Sequence, residues 1–232
     1  MATGRVRRIL AAAELRGDIA RLTQLLELAQ STDAEAIALL GDLTHGGDTK
    51  AYRAIFKALG AARLQTFWVP GPRDAPLASY LRESYNLEAV FPFLHGVHGT
   101  IALTPDYVLF AGMGGEIVDD PETERDEQTV LRYPGWEVEY RLKVIDALTH
   151  DYPKVFLFTA VPAHKGLGQP GSEVLAELIK THNPGVALVA GGQGVRKELL
   201  ANTLLVLPGS LGVGECATVD LQHRAVEPAK LG

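Results

Sequence analysis

The sequence predicts an α/β protein whose sheet is parallel through the first half of the chain and mixed in the second. Two observations carry that reading. Short apolar runs at 8–13, 36–40 and 66–69 each stop at a turn containing Gly or Pro, and each is followed by a segment with helical apolar spacing. Strands that alternate with helices in this way pair in parallel, because the connecting helix recrosses the sheet. With 232 residues the chain can form one large domain with a substantial core, and no repeat, low-complexity linker or boundary divides it.

Residues 8–13 are the first strand, and the Gly17-Asp18 turn leads into a helix carried by Ile19, Leu22, Leu25, Leu26 and Ala29. The second strand, 36–40, is closed by Gly41-Asp42 and the Gly46-Gly47 loop, and 52–59 is the second helix. Strand 66–69 halts at Pro70-Gly71-Pro72, since proline donates nothing to a ladder, and 77–82 follows as a helix. Two strand-like runs, 99–103 and 107–112, flank Thr104-Pro105-Asp106 and read as a hairpin, which makes the sheet mixed. Residues 119–127 are acidic and turn-prone, so 116–140 reads as an exposed excursion or lid before 136–148 resumes a helical pattern. Tyr133, Trp136 and Tyr140 can line such a lid, although an i, i+4 aromatic pair on a helix is more often core. Runs 155–158, 186–189 and 204–207 are further buried strands, with a helix at 172–180. Residues 217–221 close the sheet, and the tail from 227 shows no period.

Composition narrows the partners. A formal charge of −6 leaves no basic excess for a phosphate backbone, so no nucleic acid is expected. No stretch approaches the ~18 consecutive apolar residues of a membrane span, and the apolar run after Arg5, Arg7 and Arg8 ends at Glu14, too early for a signal peptide. The single cysteine, Cys216, forms no internal disulfide and fits a reducing, cytoplasmic setting, with packing as its role. A homo-oligomer is compatible with the composition. Gly112 to Gly115 and Gly191 to Gly194 lack the Lys-Ser or Lys-Thr of a phosphate loop. Ser79, Ser172 and Ser210 sit in no nucleophile-elbow frame.

In α/β sheets ligands bind beyond the carboxyl ends of the strands. Past successive strands stand Glu14-Leu15-Arg16-Gly17-Asp18, Gly41-Asp42-Leu43-Thr44-His45, Pro70-Gly71-Pro72-Arg73-Asp74, the run from Thr159 to His164, and the run from Ala190 to Gly194. In order and spacing these five frames resemble the signature of calcineurin-like metallophosphoesterases across nearly the whole chain. The resemblance implies that family's fold, mixed β-sheets sandwiched between helices, as a single domain over 1–232. It also implies frames reading Asp-x-His with Gly-Asn after it, Gly-Asp, Gly-Asn-His-Asp or Glu, a lone His, and Gly-His-x-His, whose side chains ligate two metals. Two cations about 3.5–4 Å apart clamp a phosphate ester and lower the pKa of a bridging water.

Most of those ligands are replaced. Glu14 stands for the first Asp with a longer arm, and Arg16 stands for the following His, though a guanidinium has no lone pair to give. Asp42, at the bridging position, is intact. Pro72 stands at the Asn ligand and Arg73 at the catalytic His, leaving Gly71 and Asp74 as the frame; Thr159 replaces the lone His, and Gly192 and Gly194 the last two. The expectation is therefore no dinuclear centre and no cofactor, with Glu14 and Asp42 as residual oxygen ligands. His45, His164 and His182 are near enough in sequence to stand in, although a surface or hydrogen-bonded histidine is the plainer reading of each. Arg16 and Arg73 can instead supply the lost positive charge, facing Glu14, Asp42 and Asp74. With His164 and Lys165 they leave an anion pocket for a phosphorylated small molecule, or else they seal a dead site. The expected function is a ligand- or partner-binding pseudoenzyme. The alternative is a phosphoesterase, acting on mono- or diesters, that uses Glu14, Asp42 or Asp74 and one weakly held Mn or Mg.

Overall fold

The computed structural model describes residues 6–192 and 194–232. The first half supplies β1 (Arg8–Ala13), α1 (Ile19–Ser31), β2 (Ala36–Leu40), α2 (Thr49–Ala62), β3 (Gln65–Val69), α3 (Leu77–Glu88), β4 (Leu94–Gly96), β5 (Thr100–Leu103) and β6 (Leu109–Met113). The second supplies β7 (Glu116–Val118), β8 (Arg132–Pro134), α4 (Gly135–Leu142), β9 (Lys154–Phe158), α5 (Glu173–His182), β10 (Val186–Val189), β11 (Arg196–Leu200), β12 (Thr203–Leu207), β13 (Glu215–Asp220) and β14 (Ala225–Lys230). Side-chain caps start three of the helices: Asp18 accepts from Arg21 N, Asp48 from Lys50 N and Ser172 from Leu175 N.

These strands form two six-stranded sheets, not one. The first runs β14-β13-β1-β2-β3-β4 and the second β11-β12-β10-β9-β6-β5, with β7 and β8 as a separate parallel pair. β1, β2, β3 and β4 are parallel, as are β6, β9, β10 and β12. The expected hairpin is the antiparallel β5–β6 pair. β13 does not extend the second half's sheet; it crosses back to lie antiparallel to β1.

Alternate side chains of each strand go to opposite cores. Ile9, Ala11, Ala38, Phe67, Phe110, Leu157 and Leu188 meet between the sheets, where the rings of Phe67 and Phe110 stack at 3.6 Å. Leu10, Ile37, Trp68, Phe156 and Val189 face outward under the helices. Strands buried on both faces read as continuous apolar runs, which is why β1, β2 and β3 stand out in the sequence. Among the described residues, no helix is long and apolar enough to cross a membrane.

Two expectations about the middle of the chain need correcting. The 136–148 helix ends at Leu142 and continues as a 3-10 turn over Lys143–Ala147. Trp136 and Tyr140 are 55% and 74% exposed, so they are not core; Val138 and Leu142 face inward, and Tyr133 is fully buried.

Candidate active-site cavity

The carboxyl ends of β1, β2, β3, β9 and β10 surround a cavity of about 450 Å³. Its geometry starts from a close backbone crossing. At Gly41, with φ +66°, a Cβ would run into Thr159 and the Gly71 Cα, and at Gly71 one would overlap the Asp42 nitrogen and Oδ1. Glycine is thus required at both positions by space, and at Gly41 by conformation as well. The β1 loop is laced to the β2 loop: Arg16 N donates to Asp42 O at 2.7 Å and Gly17 N to Leu43 O at 2.8 Å.

Four predicted residues meet on this frame. Arg16 Nη2 lies 2.8 Å from Glu14 Oε2, which also accepts from Ser210 Oγ at 2.9 Å. Arg73 donates its backbone N–H to Asp42 Oδ1 at 3.1 Å, and its Nη1 lies 3.7 Å from Asp42 Oδ2. Burial pushes the Asp42 carboxyl above its ordinary pKa, while the Arg73 backbone N–H and guanidinium pull it back. The arginine side chains are 44% and 55% exposed, so each guanidinium stays partly in solvent at the rim.

Asp74 is placed elsewhere. It is fully buried beneath the loops and accepts from Leu43 N (2.9 Å), Thr44 N (2.9 Å), Thr44 Oγ1 (3.1 Å), Gly71 N (2.7 Å) and Tyr52 OH (2.8 Å). It pins the β2 and β3 loops and does not line the cavity. Nor do His164 and Lys165. His164 Nε2 bonds Leu199 O at 3.1 Å while its Nδ1 accepts from Gly166 N, and Lys165 begins an exposed 3-10 turn. His45 is exposed, and His182 sits 3.5 Å from Asp146 at the end of α5. None of the described residues lining the cavity is a histidine. Among the described residues, no group of three or more His, Cys, Asp or Glu is placed to hold a metal.

Sequence reasoning missed Glu116, at the start of β7, and Gln169, on the loop before α5, which line the cavity from far along the chain. Glu116 Oε2 is held by Arg132 Nε at 2.8 Å, and the Gln169 amide points to Gly191 O. The Gly112 to Gly115 run just ahead of Glu116 was the available signal: at Gly114 a Cβ would overlap Pro70 O, so this segment is pressed against the β3 loop. Thr159 lines the cavity at the lone-His position, but its hydroxyl is spent on Gly115 O at 2.8 Å.

A family model described as metallophosphoesterase, calcineurin superfamily, matches residues 44–231. The solved structure of TT1561 of Thermus thermophilus is 46% identical, with a TM-score of 0.92 over 97% of this chain and 99% of that one. A second solved structure is 25% identical, with a TM-score of 0.88 over 97% and 99% of the two chains. A dimetal phosphatase from Danio rerio, at 10% identity, has a TM-score of 0.63 over 99% of this chain and 97% of that one, a likeness of fold alone. No curated protein matches.

Proposed function

The chain belongs to the calcineurin superfamily of metallophosphoesterases, and within it we propose a protein that binds a phosphorylated small molecule through arginines, without the two-metal centre. One observation carries the reading: each of two retained carboxylates at the metal position, Glu14 and Asp42, has a guanidinium as its neighbour. A guanidinium is permanently charged and cannot ligate. Two cations placed there would face Arg16 and Arg73 with only scattered oxygen ligands, so the donor set does not fit the group.

The same arrangement suits an oxyanion. Arginine forks onto phosphate through paired N–H groups, and both arginines line a cavity partly open to water. Partial exposure keeps the cost of holding the charges low, and the carboxylates prevent two like charges from standing unpaired when the site is empty.

The test combines metal analysis with ligand binding. Protein purified without chelator should hold less than stoichiometric metal, and added Mn should not produce hydrolysis of a generic phosphodiester. Inorganic phosphate should raise the melting temperature, and Arg16→Ala or Arg73→Ala should remove most of that rise. Stoichiometric Mn, with metal-dependent turnover abolished by Asp42→Ala, would instead establish a remodelled phosphoesterase.

A further inference from the structure

The arginine end opens into a second space. A shallow, largely open lobe of about 460 Å³ shares Glu116, Thr159 and Gln169 with the first cavity, so the two are contiguous. Its remaining wall comes from β7 and the segments after β9, including Ile117, Val118, Ala160, Val161 and Pro170.

The chemistry changes from one to the other. None of the described residues lining the second lobe is Lys or Arg. Its own ionisable group, Asp119, is already spent: its carboxylate accepts from Ser172 Oγ, from Glu173 N at 2.7 Å and from Val174 N at 3.4 Å at the start of α5. Glu116, on the shared wall, is paired with Arg132. A second anionic group placed in this lobe would find no cation to replace its hydration, whereas an apolar group would gain by leaving water.

Building on the arginine-bound phosphate proposed above, we infer that the ligand is an ester carrying one phosphate, with an uncharged and mainly apolar organic part. The phosphate sits at Arg16 and Arg73, and the organic part lies along Ile117, Val118 and Val161. Bisphosphates whose two anions are held apart by an organic spacer fit poorly, because the second anion would enter the lobe, where none of the described lining residues is a cation.

Calorimetric titration of the full chain with inorganic phosphate, 1-naphthyl phosphate and naphthalene-1,4-diyl bisphosphate, at fixed ionic strength, tests this. The naphthyl ester should bind at least about tenfold more tightly than inorganic phosphate, as expected for burying one bicyclic group, and the naphthalene bisphosphate should gain nothing comparable. Val118→Trp and Val161→Trp, two uncharged substitutions that fill the lobe, should each erase the naphthyl advantage and leave inorganic phosphate binding unchanged. Binding of the latter also reports that each variant is folded. If phosphate binds and the naphthyl ester is no tighter, or the naphthalene bisphosphate gains tenfold, the second lobe is misread and the arginine site stands. If phosphate itself does not bind, both readings fall.

Discussion

Replacing Asp74 separates a structural carboxylate from a ligand-binding one. Its Oδ2 accepts from two backbone N–H groups, Leu43 and Gly71, and its Oδ1 from the Thr44 N–H and the hydroxyls of Thr44 and Tyr52. In Asp74→Ala three buried backbone donors lose their acceptor, and at ~1–3 kcal/mol for each unsatisfied group the loss is at least ~3 kcal/mol. That is a large part of the ~5–15 kcal/mol that holds a domain folded. Asp74→Asn is different. With its NH2 on the Oδ1 side, both hydroxyls can turn and accept, and only the Thr44 N–H is stranded, a cost of ~1–3 kcal/mol. Urea unfolding followed by tryptophan fluorescence, to which the buried Trp68 contributes, measures both. Equal costs for the two variants, or an Ala cost under ~1 kcal/mol, would refute the pinning role.

Three further outcomes follow from the same contacts. Gly71→Ala should cost at least ~2 kcal/mol, because its Cβ must displace the Asp42 backbone, and the phosphate-induced melting shift should shrink with it. Asp119→Ala should cost ~1–2 kcal/mol in urea unfolding, because the first-turn N–H groups of Glu173 and Val174 lose their carboxylate acceptor while the Ser172 cap remains. The raised pKa of Asp42 means that the folded protein takes up this proton first. Its ionisation therefore costs stability above the folded pKa, and the penalty fades as pH falls through that value and is gone below the unfolded value of ~3.9. Unfolding free energies measured from pH 7 to pH 4 should show the wild type gaining on Asp42→Asn; a constant difference would count against the shift.

The parts legible in the sequence were those with the strongest burial. β1, β2, β9 and β10 carry apolar side chains on both faces, so their runs are unbroken. β11 and β14 are edge strands carrying Arg196, Lys197 and Glu198, or Glu227, Pro228 and Lys230, which hide the strand signal while guarding the edge. β4, β7 and β8 span only three residues each, too short for any period to register. The division into two sheets is set by which strands pair, and no local pattern encodes the return of β13 to β1. At the site, spacing brought Glu14, Arg16, Asp42 and Arg73 together because each follows a strand end. Asp74 follows one too, yet the 3-10 turn at Pro72–Asp74 rotates it inward to the donors. Gln169 arrives through tertiary folding alone, and Glu116 is announced only by the close approach of Gly114 to Pro70 just ahead of it.

The backbone of this site bears on whether it is a binder or a sealed relic. Glu14, Arg16 and Asp42 have φ of 58°, 52° and 44°, in the left-handed region. For residues with a Cβ that conformation costs roughly 1–2 kcal/mol each, and Glu and Arg have none of the local compensation that Asp and Asn enjoy. Gly17 and Gly41, on the same loops, take the same sign of φ without that cost. Glycine at Glu14 or Arg16 would relax the chain, and if the pocket only needed closing, small apolar residues would close it more cheaply than two ion pairs. What the strain maintains is a carboxylate and a guanidinium at the mouth of a cavity, on loops locked by the Arg16 to Asp42 and Gly17 to Leu43 backbone bonds. Strain held in place by its surroundings, at charged groups beside an open space, is the backbone arrangement that the phosphate-binding reading proposed above requires.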